Sequence, residues 1–285
     1  MGLRRRTQRT RTVPTHEQVH TETPVLGGHP LPPHPLGIIL SSSDKITTST
    51  IPHRALSEQQ DRRATVDCFR GMLQQHHASP EAIERARQHN EAMTELGFEA
   101  EQMRFSLFPT NPNTRKGNLA EIVLAEYVIA SCSIQLPVYR LRYNPNINES
   151  MKGDDVLAFD LDSDPVRILV GEAKFRGRSK NAAVTEIAEA LVRSHSAGIP
   201  ASLMFVAERL FGEGNEELGK RVYDCARLFA LGQLRIDYVG MLLSDMEASN
   251  KVQRATPNSI HQLAMISFGV TDPDALAVAC YEGLN

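Results

Sequence analysis

The chain has 285 residues, 41% of them apolar, which is enough for one large core or two smaller ones. It contains no Trp and only 6% aromatic residues, which argues against a carbohydrate-binding face or an aromatic cage. A net charge of −3 excludes a globally basic coat, so any contact with nucleic acid has to come from a local basic patch.

Cys68, Cys132, Cys225 and Cys280 are scattered without a CxxC pair, so free thiols in a reducing compartment are expected rather than a zinc site or disulfides. No apolar run approaches the roughly 18 residues that a membrane span needs. The basic start (Arg4, Arg5, Arg6, Arg9, Arg11) is not followed by the apolar stretch of a secretory signal. A soluble, cytoplasmic protein with no membrane partner is expected.

Residues 1–56 read as a disordered tail. Pro14, Pro24, Pro30, Pro32, Pro33 and Pro35 punctuate it, no helical period appears, and His16, His20, His29 and His34 read as solvated. Only Gly37–Leu40 could dock there, as a strand. Order is expected over 57–285, divided into N-terminal helices (57–115), a catalytic core (116–210) and a C-terminal part of the sheet with helices (211–285). Ser57 and Gln60 make a capping-box pattern for a helix running to about His77, with Val66, Phe69 and Met72 on one face. Ser79-Pro80-Glu81 opens a second helix that Gly97 ends, and a third spans about Gly117 to Ile134.

Strands are expected over Leu136–Tyr143, Val156–Asp160, Val166–Phe175, Ser202–Ala207, Arg235–Leu243 and Gln262–Val270. Helices are expected over Val184–His195 and Glu213–Leu231, with a short one opened by Asp272-Pro273. The fold class is α/β (α+β): a central mixed sheet flanked by helices.

The chemistry concentrates in Met151-Lys-Gly-Asp-Asp-Val-Leu-Ala-Phe and Val166-Arg-Ile-Leu-Val-Gly-Glu-Ala-Lys-Phe. Alternation along a strand sends Val166, Ile168, Val170, Glu172 and Lys174 to one face, so a carboxylate and an ammonium end an apolar row. If the chain reverses about Ser163 and Asp164, paired residue numbers sum to about 327 for a short regular turn. Asp155 then stands opposite Glu172. A one-residue change in the turn would select Asp154 instead. Two carboxylates so placed repel and persist ionised only around a cation, and their hard oxygens suit Mg²⁺ or Mn²⁺. Lys174 could orient or deprotonate an attacking water, or offset charge on phosphorus.

The helix around Leu119–Ala130 is apolar nearly all round. Glu121 shares a face with Leu124, Ala125 and Val128, where a carboxylate is costly unless paired or metal-linked. Glu126 lies about 140° further round, at 100° per residue, so both cannot serve one site. Arg115, Lys116, Lys152, Arg176, Arg178 and Lys180 gather nearby, and phosphate contacts are expected of Lys116, Lys152, Arg176, Arg178 and Lys180.

Glu121, Asp155 and Glu172-x-Lys174 follow the PD-(D/E)xK pattern of metal-dependent nucleases. Lys116-Gly-Asn-Leu-Ala-Glu121, Met151-Lys-Gly-Asp-Asp155 and Gly171-Glu-Ala-Lys-Phe-Arg176 resemble the HamA family, the nuclease subunits of Hachiman anti-phage defence systems. The resemblance covers roughly residues 100–270. It implies a restriction-endonuclease-like core, a divalent metal, DNA as substrate, and a large helicase partner (HamB) that restrains the nuclease. By position it gives Glu121, Asp155, Glu172 and Lys174 the active-site roles, the first three as metal ligands. A stand-alone restriction or repair nuclease and an inactive helicase-docking scaffold are the competing readings.

Overall fold

The computed structural model describes residues 24–59, 61–98 and 106–284. Six strands form one mixed sheet in the order β1-β2-β6-β5-β4-β3. These are β1 (Leu40–Ile46), β2 (Pro52–Glu58), β3 (Val156–Asp160), β4 (Val166–Phe175), β5 (Leu234–Ser244) and β6 (Leu263–Gly269). β2, β6, β5 and β4 run parallel, while β1 and β3 are antiparallel edges reached by hairpins.

Helices cover both faces. On one lie α1 (Pro35–Ile39), α2 (Arg62–His77), α4 (Pro112–Cys132) and α9 (Pro273–Tyr281), packed on Leu169, Val239, Met241 and Ile266. On the other lie α5 (Asn181–Ala197), α6 (Leu203–Gly212), α7 (Glu216–Ala230) and α8 (Ala248–Ala255), packed on Ile168, Val170, Ile236 and Leu242. β4 is thus buried on both faces, which explains the consecutive apolar residues Ile168, Leu169 and Val170 at its centre. A further helix, α3 (Pro80–Glu95), is capped by Ser79 and followed by Gly97 at φ 80, as its sequence signals imply.

The central mixed sheet flanked by helices is the expected fold class, but several local expectations fail. The proline-rich stretch is ordered from Pro24 onward and supplies α1, β1 and β2 to the body. Long-range contacts hold it. His29 bonds the Tyr127 hydroxyl at 3.0 Å and the Leu40 carbonyl at 3.1 Å. Arg167 donates to the Val25 carbonyl at 2.6 Å, and Arg54 pairs with Asp44 at 2.6 Å while donating to the Gly27 carbonyl at 2.7 Å. His34 is exposed as expected but caps α1 by accepting from Leu36 N, whereas His29 is half-buried and not a solvated tail residue. His16, His20 and the basic start lie outside the described residues.

Ser57 belongs to β2, and the cap of α2 is Asp61, whose carboxylate accepts from Arg63 N and Ala64 N. Gln60 lies outside the described residues. Leu136–Tyr143 is not a strand. Gln135 alone bridges Phe159, and Arg140–Tyr143 winds into a 3₁₀ turn. Ser202–Ala207 opens α6, because Leu203, Val206, Ala207 and Leu210 are buried at helical rather than alternate spacing. The four cysteines are free thiols.

Deleting residues 1–56 removes β1 and most of β2, exposing the flank of β6 and depriving Arg167 and Tyr127 of their polar partners Val25, His29 and Arg54. The truncated chain is expected to lose its cooperative thermal transition by circular dichroism. A sharp transition near that of the full chain would show that the segment is dispensable.

Candidate active site

β4 has ten residues and β3 only five, so the end of β4 runs past its partner. The hairpin pairs Val156 with Gly171 and Leu157 with Val170, the register whose numbers sum as expected from a reversal near Ser163. Asp155 stands one residue before the first pair, facing the overhang. Its carboxylate accepts the Ala173 N–H at 2.9 Å, satisfying a backbone donor that β3 no longer reaches.

Beyond β3 the edge of β4 is open, and the two helical layers meet there around a cleft of about 840 Å³. Glu121 of α4 enters from one layer. Glu172 and Lys174 enter from β4 itself, and Arg193 of α5 from the other layer. Gly171 lets α4 come this close, since a Cβ there would lie 2.9 Å from Val156 Cβ and 3.0 Å from Leu124 Cδ2.

Asp154 points elsewhere and is a brace. Its carboxylate accepts from Ser194 Oγ and from Ser202 N, both at 3.0 Å. Its own N–H donates to Ser202 Oγ at 3.0 Å. Gly153 precedes it at φ 110, a conformation that favours glycine, and packs so that a Cβ would meet Ser202 Oγ at 2.6 Å. The start of β3 is thereby tied to the last turn of α5 and the N-cap of α6, and Asp155 is left as the carboxylate in the cleft.

Burial raises the pKa of Glu121 to about 8; the Arg140 guanidinium opposes the shift, and Asp155 and Glu172 add to it. Burial also raises Asp155, against the pull of the Ala173 N–H, Arg140 and Lys174. Glu172 is raised by burial and by Asp155, against its ion pair with Lys174. Three carboxylates thus share a space that disfavours their charge.

Glu126 lies on another face of α4, bonded to His76 at 2.6 Å. Nothing in the sequence marks Arg140 or Arg193: the first reads as part of a strand, the second as one charge on a helix. Of the expected phosphate contacts, Lys116, Lys152 and Arg176 line the cleft, whereas Arg178 and Lys180 are exposed beyond its lining. Lys116 pairs with Asp274 at 2.7 Å and Arg176 pairs with Glu186. Lys152 and Arg193 are exposed, and neither has an ion pair among the described residues.

As a metal site the residues fit in a restricted way. Mg²⁺ needs only one or two carboxylates, with water completing its octahedron, and Asp155 with Glu172 meets that requirement. Among the described residues no three His, Cys, Asp or Glu side chains gather closely enough to hold an ion together.

These features define a three-layer α/β protein with an acidic, lysine-bearing cleft at the edge of a mixed sheet. A family model for HamA matches residues 38–284. A protein of Bacillus cereus described as Hachiman protein HamA is 32% identical over 246 residues, covering 85% of this chain and 88% of the relative. The chain belongs to the HamA family. Among the described residues no helix is long and apolar enough to cross a membrane.

The cleft carboxylates make stability depend on pH. Between the ordinary Glu value of 4.5 and about 8, folded protein keeps a proton on Glu121 that the unfolded chain has released. The folded state binds more protons, so stability falls as pH rises through that window. His53 and His77, buried and lowered to about 4, act in the opposite sense below their ordinary value of 6.5. Metal-free protein is therefore expected to melt lower at about pH 8 than at about pH 6.5, with Glu121→Gln flattening the decline. A melting temperature that rises over this span in the wild type would contradict the assignment.

Proposed function

We propose that this protein is a divalent-metal-dependent deoxyribonuclease, the effector of a Hachiman anti-phage defence system, held in check by a helicase partner. The observation that carries the reading is the convergence of Asp155, Glu172 and Lys174 on the floor of one cleft with cationic side chains at its rim. A buried set of like charges is costly and has no evident structural use. Membership of the HamA family supports the defence role, and the B. cereus relative carries the Hachiman name.

Asp155 and Glu172 would hold the cation. When bound, it supplies Lewis acidity at a phosphate and lowers the pKa of water. Phosphodiester hydrolysis joins a water oxygen to phosphorus, breaks one bridging P–O bond, and passes the water's proton to solvent or to the leaving oxygen. Lys174, two residues past Glu172 on the same face, would leave its ion pair and donate to the attacking water or a non-bridging oxygen, offsetting charge that grows in the transition state. The Ala173 N–H keeps Asp155 aimed while this happens. Lys152 and Arg193 would take backbone phosphates on either side. Among the described residues no separate target-recognition module accompanies the cleft, and a nuclease of that kind endangers its own cell, which supports restraint by a second subunit.

Plasmid DNA should be degraded with Mg²⁺ or Mn²⁺, alone or once the partner releases the protein, and spared in excess EDTA. Lys174→Ala should cut the rate on the order of 100- to 1,000-fold without lowering the melting temperature. Cleavage at the wild-type rate by folded Lys174→Ala would rule out the assigned site. Absence of cleavage by the wild type, with or without a co-expressed helicase, would favour an inactive scaffold. Arg193→Ala should instead weaken DNA binding and reduce the slope of log K against log salt by about 0.9. An unchanged slope would remove Arg193 from the interface.

A further inference from the structure

Arg140, beside Glu121 at the margin of the cleft, is a buried cation that the catalytic reading leaves without a task. It sits on the 3₁₀ turn before β3, with its side chain only 13% exposed. One terminal nitrogen donates to the Met151 carbonyl at 2.9 Å, and the other donates to the Asp154 carbonyl. The guanidinium is thereby fixed against the loop that carries Asp155. Its Nε stands 3.3 Å from Glu121 Oε1 yet makes no aligned hydrogen bond, so this contact is chiefly electrostatic. Glu121 is held on the Arg140 side of the cleft, consistent with the lack of any three-carboxylate cluster among the described residues.

Charge leads to the same place. With all three carboxylates ionised, as a bound cation would favour, Glu121, Asp155 and Glu172 face Arg140 and Lys174, and the site lacks one positive charge. A single divalent cation corrects that shortage and leaves a small positive excess for a phosphate. A second would have to enter where the guanidinium already lies, against strong like-charge repulsion.

Building on the nuclease reading, we infer that Arg140 is a built-in cation that takes the place of a second metal, so that the cleft binds one divalent ion, through Asp155 and Glu172, with Glu121 as counter-ion to Arg140 rather than ligand. Arg140 is a positioning residue on this account. It holds Glu121 and the Met151–Asp155 loop, and it fixes the number of ions.

Counting bound Mn²⁺ tests this. Full-length, metal-free protein is titrated by calorimetry, with free Mn²⁺ followed by electron paramagnetic resonance. Wild type is expected to bind one ion, Glu121→Gln still one, and Asp155→Asn none over the same concentration range. Arg140→Gln, which frees Glu121, is expected to bind two, and Glu121→Gln/Arg140→Gln to return to one. Two ions in the wild type, or loss of the ion in Glu121→Gln, would overturn the inference while leaving a metal nuclease intact. So would a single ion in folded Arg140→Gln. If Arg140→Gln does not fold, the Glu121→Gln and Asp155→Asn counts still decide between ligand and counter-ion. No Mn²⁺ bound by the wild type at all would overturn both the inference and the nuclease reading on which it rests.

Discussion

A strand shows its side chains to alternate faces, so a slip of one residue between β3 and β4 would exchange the two faces of β3. The observed register, with Val156 against Gly171, sends Leu157 and Phe159 into the core under α5 and α6, and Val156 and Ala158 into the core under α4. Because both faces of this hairpin are buried, the apolar cores lock the register. The position of Asp155 at the overhang of β4 follows from it. So does the exposure of the Ala173 N–H, which the Asp155 carboxylate then satisfies.

Everything in the cleft answers to the difficulty of burying like charge. Desolvation pushes Glu121, Asp155 and Glu172 toward their protonated forms, and the protein opposes this with fixed donors. Lys174 turns back on Glu172, Arg140 lies beside Glu121, and a backbone N–H meets Asp155. Arg140 reaches Glu121 from the 3₁₀ turn and Asp155 reaches the Ala173 N–H of β4 from the loop before β3, so these two balances exist only in the assembled fold. The neighbouring Asp154, equally short and acidic, spends its oxygens on Ser194 and Ser202 and has none left for the cleft.

The far end of the sheet shows a related economy. Asp237 is fully buried on β5, yet it lies between Arg167 at 2.6 Å and Arg235 at 2.8 Å. Arg167 also reaches the Val25 carbonyl, so a buried charge cluster binds the N-terminal segment to the middle of the sheet. At one end of β4, therefore, a buried carboxylate is enclosed by two guanidinium groups, and at the other three carboxylates outnumber the cations paired with them. The acidic end opens on solvent.

The sequence by itself determined the layered α/β class, the extents of β3 and β4 and the identity of the polar row that ends β4. Local rules govern these: alternation, apolar runs, and the turn chemistry of Asp162-Ser163-Asp164-Pro165 all act within a few residues. It also marked Glu121, since a carboxylate that shares its helix face with Leu124, Ala125 and Val128 needs a reason. Tertiary structure alone decided between Asp154 and Asp155, through hydrogen bonds to Ser194 and Ser202 about 40 residues away. It ordered residues 24–58, whose prolines and serines carry no period and whose partners, Tyr127 and Arg167, are remote in the chain. It also brought Arg140 and Arg193 to the cleft, because a charged side chain on a turn or helix reads the same in sequence whether it faces water or a buried carboxylate. Where a charge finds its partner is settled by packing, and packing is long-range.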